Sequence, residues 1–183
     1  MRRIVFGLIA IGVAVALGPS RASAGLITFS ASLDSAQVVP PHVSPGTGLA
    51  QVILDDVADT ITVDLSFQDL LTGAFAAHIH GPAPPGVNAI VLFPLNLGGA
   101  SNQTSGTIPT QVFAITPAQI GQLESGLFYV NVHTAVFPGG EIRGQLEPAA
   151  TVPEPTTVTL LGLGALGLAG YVWRRKRLLL SVC

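Results

Sequence analysis

Cysteine is almost missing from this 183-residue chain; the single one, Cys183, is the last residue. An intrachain disulfide is therefore excluded, and the folded part must hold itself together by its core alone. Away from the two ends cations are equally scarce. Between residues 25 and 152 only Arg143 stands against nine carboxylates (Asp34, Asp55, Asp56, Asp59, Asp64, Asp69, Glu124, Glu141 and Glu147), a formal net charge of −8 for that stretch. Nucleic-acid binding requires a cationic face that displaces counterions from phosphates, so no nucleic-acid partner is expected. Acidic charge of this size favours solubility. There is no G-x-S-x-G elbow and no cysteine within residues 25–152, which leaves Ser/His/Asp and Cys/His nucleophile systems without a context. Gly98-Gly99 lacks the spacing and the following helix of a phosphate cradle. Asp55-Asp56 follows a strand pattern, where aspartate is favoured for turn hydrogen bonds to its own backbone rather than for catalysis. No internal repeat of fixed period is visible.

What is plentiful lies at the two ends. Met1-Arg2-Arg3 is a basic n-region, residues 4–18 are an uncharged apolar stretch expected to be helical, and Ala22-Ser23-Ala24 supplies the small residues of an A-x-A site. The pattern predicts a secretory signal peptide over 1–24, handled by the Sec translocon and cut by signal peptidase after Ala24. At the other end, Val152-Pro153-Glu154-Pro155 precedes an uncharged run over 158–173 and then Arg174-Arg175-Lys176-Arg177. At ~1.5 Å per helical residue that run spans roughly 24 Å, short of a ~30 Å hydrocarbon layer, so insertion is marginal. Four cations are expensive to translocate and are expected to stay cytoplasmic, leaving everything before Val152 on the outer side. The mean hydropathy of +0.60 mostly describes these ends.

The tail resembles the PEP-CTERM sorting signal of exopolysaccharide-associated bacterial proteins, in the box Pro153, Glu154, Pro155, the Gly/Leu-rich helix at about 157–173 and the basic cluster Arg174, Arg175, Lys176, Arg177. That resemblance implies recognition by an exosortase-type membrane protease and passage through a membrane-anchored stage in the inner membrane. It also implies cleavage near the box, and delivery to the surface or extracellular matrix of a Gram-negative bacterium. Residues 178–183 continue past the point where such signals usually stop. A plain single-span anchor is the alternative that helix and basic flank alone would fit.

Between the ends, 128 residues are enough for one core. Ile27, Phe29, Ala31 and Leu33 alternate with Thr28, Ser30 and Ser32, and residues 48–54 and 60–67 repeat the pattern, as half-buried antiparallel strands do. Further strands are expected at 75–80, 89–94, 107–115, 127–134 and 141–147, with breakers at Pro45-Gly46, Asp55-Asp56, Gly81-Pro82, Gly98-Gly99 and Pro138-Gly139-Gly140. The expectation is an all-β sandwich or flattened barrel of about eight strands. One short helix interrupts it, with Thr116 as N-cap, Pro117 at the first position, Gln119 closing a capping box and Gly126 as stop.

Two of these strands carry the chemistry. His78 and His80, two apart on a strand, point to one face about 7 Å apart along the backbone, and Tyr129, Asn131 and His133 share one face of another. If the two strands are neighbours, three imidazoles converge. Such a set, without thiolate, suits copper or zinc rather than Ca²⁺ or Mg²⁺ and leaves a further position for water or a small ligand. The alternative is three polar side chains satisfying loop carbonyls. His42, in the stiff Pro40-Pro41-His42-Val43 loop, is expected to be an exposed surface histidine rather than a fourth ligand. Arg143 is expected to pair with Glu141 or Glu147 along its strand.

Five stretches together resemble the chordin-type, or CHRD, domain: Phe29-x-Ala31-x-Leu33 with Ala36-Gln37-x-Val39-Pro40-Pro41, Gly46-x-Gly48-x-Ala50, Ala77-His78-Ile79-His80-Gly81-Pro82-Ala83, Val130-Asn131-Val132-His133-Thr134 and Pro138-Gly139-Gly140-Glu141-Ile142-Arg143-Gly144-Gln145-Leu146. The resemblance covers about residues 27–147 and implies an extracellular binding module more than an enzyme. A fainter one runs to copper/zinc superoxide dismutase, an antiparallel Greek-key barrel of eight strands. It implies His78, His80 and His133 as copper ligands and Arg143 as an anion-guiding cation, but residues 82–88 hold none of the histidines or the aspartate of a zinc site. The expected organisation is a signal peptide (1–24), a CHRD domain (25–150) and a sorting signal (151–183). The expected function is adhesion or exopolysaccharide association; the alternative is a mononuclear copper or zinc protein, with or without dismutase-like redox activity.

Overall fold

The computed structural model describes residues 25–149, 161–162, 164–171 and 173, and the chain divides into two units, Met1–Glu147 and Pro148–Cys183. The period-2 alternation becomes a wall of buried side chains. β1 (Leu26–Leu33), β2 (Thr47–Asp55) and β3 (Thr60–Gln68) pair antiparallel. The register sets Phe29 opposite Val52 and Val52 opposite Val63, so one face of all three strands is aliphatic and aromatic. A second wall comes from β4 (Ala74–His80), β5 (Val91–Leu95), β8 (Tyr129–Thr134) and β9 (Ile142–Gln145), which present Ala77, Ile79, Phe93, Val130, Val132 and Ile142. Each fully buried Leu, Ile or Phe between the walls contributes about 1.5–3 kcal/mol.

The two walls are separate sheets: one is ordered β10 (Glu147–Pro148), β1, β2, β3, β6 (Gly106–Thr107), with β7 (Gln111–Ala114) also on β3, and the other β5-β4-β8-β9. Neither closes on itself, so of the two expected architectures the flattened barrel is set aside. A single bridge, Asp34 with Arg143, links β1's end to β9 through backbone hydrogen bonds of 3.0 and 2.9 Å. There Gly144 is required by space, because a Cβ on it would stand 2.6 Å from the Ser32 carbonyl oxygen.

Ten strands replace the expected eight for two local reasons. The segment 107–115 splits into β6 (Gly106–Thr107) and β7 (Gln111–Ala114) around Pro109, which has no N–H to give the ladder. The segment 141–147 splits at buried Leu146, where the chain leaves β9 and enters β10 (Glu147–Pro148) in the other sheet. The helix is as the sequence predicts: α1 (Pro117–Glu124) is capped by Thr116, whose hydroxyl accepts from the Gln119 N–H while the Gln119 side chain reaches back, and Gly126 ends it at φ 69°. Asp55 caps its turn by accepting from the Val57 and Ala58 N–H groups.

In the second unit, the described residues of the tail are helical and exposed. They fall within the helix expected at about 157–173, and among the described residues no helix is long and apolar enough to cross a membrane. The apolar helix expected at the N-terminus lies outside the described residues, with Ala22 and Ala24. So do the Pro153-Glu154-Pro155 box and the cluster 174–177.

Candidate metal centre

Strand pairing decides which side chains meet. β4 and β8 are antiparallel neighbours with His80 opposite Tyr129, His78 opposite Asn131 and Ala76 opposite His133. Because Val130 and Val132 face the core, Tyr129, Asn131 and His133 face outward with His78 and His80. That outer face is itself covered: every residue of β8 and β9 is buried. Loop side chains and carbonyls roof it, with Gln145 donating to the carbonyls of Ala83 and Gly126, and Asn131 donating to that of Gly139.

Under this roof one nitrogen from each of His78, His80 and His133 lies within 4.8 Å of the other two. The ring centroids are 5.5 Å apart for His78 and His80, 4.8 Å for His78 and His133, and 6.0 Å for His80 and His133. His42 stands apart from the trio, and its expected exposure is corrected. It is half-buried, its Nε2 is 3.0 Å from the Glu141 carbonyl oxygen, and its ring stacks on Phe137 at 3.6 Å.

Backbone carbonyls fix the tautomers. A carbonyl only accepts, so His80 Nδ1, 3.0 Å from the Ala89 oxygen, and His133 Nδ1, 2.9 Å from the Pro138 oxygen, both carry their protons. Their Nε2 atoms are therefore lone pairs. His133 Nε2 takes a hydrogen bond from His78 Nδ1 at 3.0 Å. His80 Nε2 is buried and has no hydrogen-bond partner among the described residues. Leaving such an acceptor unsatisfied costs about 1–3 kcal/mol, so it calls for an explanation. Carbonyls that orient imidazoles from behind are also the usual outer support of histidine ligands.

Burial, the two neighbouring imidazoles adding to it, pushes His78 from its usual 6.5 down to about 4, and burial lowers His80 and His133 as well. All three are thus neutral at neutral pH, and of the nitrogens that face one another only His80 Nε2 keeps a lone pair without a hydrogen bond. The metal-free domain has a matching acid sensitivity. Unfolded imidazoles take up protons below 6.5, whereas folded His78 resists until about 4. In that window the unfolded state binds more protons, so stability falls as pH drops. Thermal melts of chelator-treated protein are expected to decline from pH 6.5 to 4, with a shallower slope after His78→Gln; identical slopes would contradict this origin.

Beside the trio sits a stack that the sequence did not reveal. The His80 ring lies parallel to Tyr129, with centroids 4.9 Å apart and planes 3° from parallel, and the Arg143 guanidinium carbon is 3.6 Å from the Tyr129 centroid. Strand order β4-β8-β9 puts Tyr129 between the other two. The expected pairing of Arg143 with Glu141 or Glu147 is corrected: its hydrogen bonds go to the neutral oxygens of Asn88 (3.4 Å) and Gln145 (3.3 Å). With 1% of its surface exposed and lying across Tyr129 from His80, it is not a free anion-guiding group. Burying an unpaired cation costs several kcal/mol, of which a desolvated cation–π contact returns about 2.

Glu141, which sequence reasoning placed only in an ion pair, is 0% exposed and serves three segments. It accepts from the Ser44 hydroxyl (2.6 Å), the Leu71 N–H (2.7 Å) and the Thr134 hydroxyl (2.6 Å). Thr134 and Glu141 flank the turn whose Pro138 carbonyl holds His133. Its position just after Pro138-Gly139-Gly140, with no lysine or arginine nearby except Arg143, is the only sequence signal for this role.

Comparison with known families agrees with these features. The CHRD domain family matches residues 29–146, and the PEP-CTERM protein-sorting motif matches residues 151–177. No curated protein and no solved structure matches the chain. The sorting motif marks an exported bacterial protein that passes through the membrane, is anchored there transiently and is processed by exosortase before surface or extracellular placement. The matched domain spans well over half of the chain, which therefore belongs to the CHRD domain family.

Proposed function

We propose that this exported CHRD domain holds one copper or zinc ion through His78 Nδ1, His80 Nε2 and His133 Nε2. The observation that carries the reading is the buried, partnerless His80 Nε2 beside two other imidazole nitrogens. Ligand nitrogens at ~2.0–2.1 Å from one ion stand roughly 3–4 Å from each other, which suits the 3.0 Å between His78 Nδ1 and His133 Nε2. A bound ion would stand where the His78 Nδ1 proton lies, that proton passing by way of solvent to His78 Nε2 so that the ligand stays a neutral imidazole. When bound, it supplies a Lewis-acid centre with a position left for an exogenous ligand and, if copper, a one-electron couple. The protein's part is to hold the ligands: Ala89 and Pro138 fix two tautomers, and Tyr129 fixes the plane of His80. Elemental analysis after loading with copper or zinc and exhaustive dialysis is expected to find about one ion per chain; protein that emerges metal-free overturns the reading.

The sorting motif supports a second, compatible reading, in which the domain acts in adhesion or in association with exopolysaccharide once it reaches the surface or matrix. The mature protein should then co-sediment with the producing cells' own exopolysaccharide. Protein left wholly in the supernatant at every salt concentration would remove this reading without touching the metal site.

A further inference from the structure

We infer that Arg143, acting through Tyr129, biases the three-histidine site toward monovalent copper and so raises its reduction potential. The inference rests on the metal reading above and deepens it. It begins with an ordered column: His80 against Tyr129 at 4.9 Å and 3°, and Tyr129 beneath the Arg143 guanidinium at 3.6 Å. Ala89 locks the first two members together, its N–H donating to the Tyr129 hydroxyl (3.0 Å) and its carbonyl accepting from His80 Nδ1–H (3.0 Å). The Arg143 charge is therefore held at a fixed offset from a ligand ring.

Two further facts give that charge reach. It is buried, so solvent screens it little, and no carboxylate among the described residues compensates it. Glu141, two residues away, is engaged by Ser44, Leu71 and Thr134 instead, and Glu147 is exposed. The three ligands are neutral imidazoles, so nothing in the set offsets repulsion between Arg143 and the ion. A divalent ion feels that repulsion twice over and a monovalent one once. The couple is Cu(II) plus one electron giving Cu(I), with the electron from an external reductant and no bond or proton exchanged. At an effective dielectric near 20 and a separation on the order of 10 Å, the difference is about tenfold in the ratio of Cu(I) to Cu(II) affinity, or about 59 mV for a one-electron couple.

The test is a redox titration of the copper-loaded protein, followed by the Cu(II) optical and spin-resonance signals. Arg143→Gln should lower the potential by about 59 mV, and Arg143→Lys should stay near the wild type. Asn88→Asp is the deciding variant, because residue 88 is exposed and its side chain already contacts the guanidinium, so the new carboxylate neutralises Arg143 in place. It too should lower the potential, and it decides alone if Arg143→Gln does not fold. Copper bound with an unchanged potential in Asn88→Asp overturns the inference and leaves the metal site standing. A wild-type protein that takes up no copper overturns the metal reading instead.

Discussion

Replacing His80 with alanine is expected to abolish stoichiometric retention of copper or zinc. Of the three imidazoles, His80 presents the nitrogen that nothing else in the fold satisfies. The two that remain, His78 Nδ1 and His133 Nε2, already satisfy each other across 3.0 Å and have little need of an ion. Spread over four ligands, the roughly 10–16 kcal/mol of a structural zinc site gives about 2.5–4 kcal/mol per ligand, so affinity should fall by a factor of about 10²–10³. In the metal-free domain the same substitution removes a buried acceptor without a partner, which offsets part of what is lost with the Ala89 hydrogen bond and the Tyr129 stack. Loaded and metal-free wild type should therefore melt at clearly different temperatures, while loaded and metal-free His80→Ala protein should melt together. A chromophoric-chelator competition titration reads the affinity directly, and an unchanged value in His80→Ala would remove His80 from the ligand set.

Glu141→Ala is expected to cause the largest loss of stability, about 3–5 kcal/mol. The carboxylate is 0% exposed and ties the start of the β9 segment to three places: Ser44 in the loop before β2, Leu71 after β3 and Thr134 at the end of β8. Truncation leaves an N–H and two hydroxyls short of an acceptor and opens a cavity, each unsatisfied group costing about 1–3 kcal/mol before any water enters. Glu141→Gln should lose less, since one amide oxygen still accepts while the new NH₂ meets donors. Urea unfolding of the metal-free protein measures both. A loss below about 1 kcal/mol for the alanine variant would mean that the loops hold without this clasp.

These two residues also show how far the sequence could be read. The histidine trio was legible because a strand repeats every two residues, so His78-x-His80 and Tyr129-x-Asn131-x-His133 declare their faces. Only the neighbour relation of β4 and β8 had to come from the structure. Strand positions, the capped helix at Pro117–Glu124 and the left-handed Gly126 were legible for the same local reasons. Glu141 and Arg143 were not. Their nearness in sequence suggested an ion pair, whereas alternation puts residues two apart under different neighbours, one beside Thr134 and one over Tyr129. Nor could the sequence show that loop 81–90 and the turn 135–140 reach the outer face of β8 and β9, because periodicity reports the core side of a strand and is silent about a roof. The splitting of 107–115 at Pro109 was signalled by the proline itself. The change of sheet at Leu146 was not, since an apolar residue reads alike in a continuous strand and at a corner.

The central claim is that His78, His80 and His133 hold one ion together, and crystals of the copper- or zinc-loaded protein test it most directly through an anomalous-difference map at that metal's absorption edge. A single peak about 2.0–2.1 Å from His80 Nε2, His133 Nε2 and His78 Nδ1 is the predicted result. A fully loaded protein whose only anomalous peak lies elsewhere, or whose three imidazoles enclose none, would contradict it.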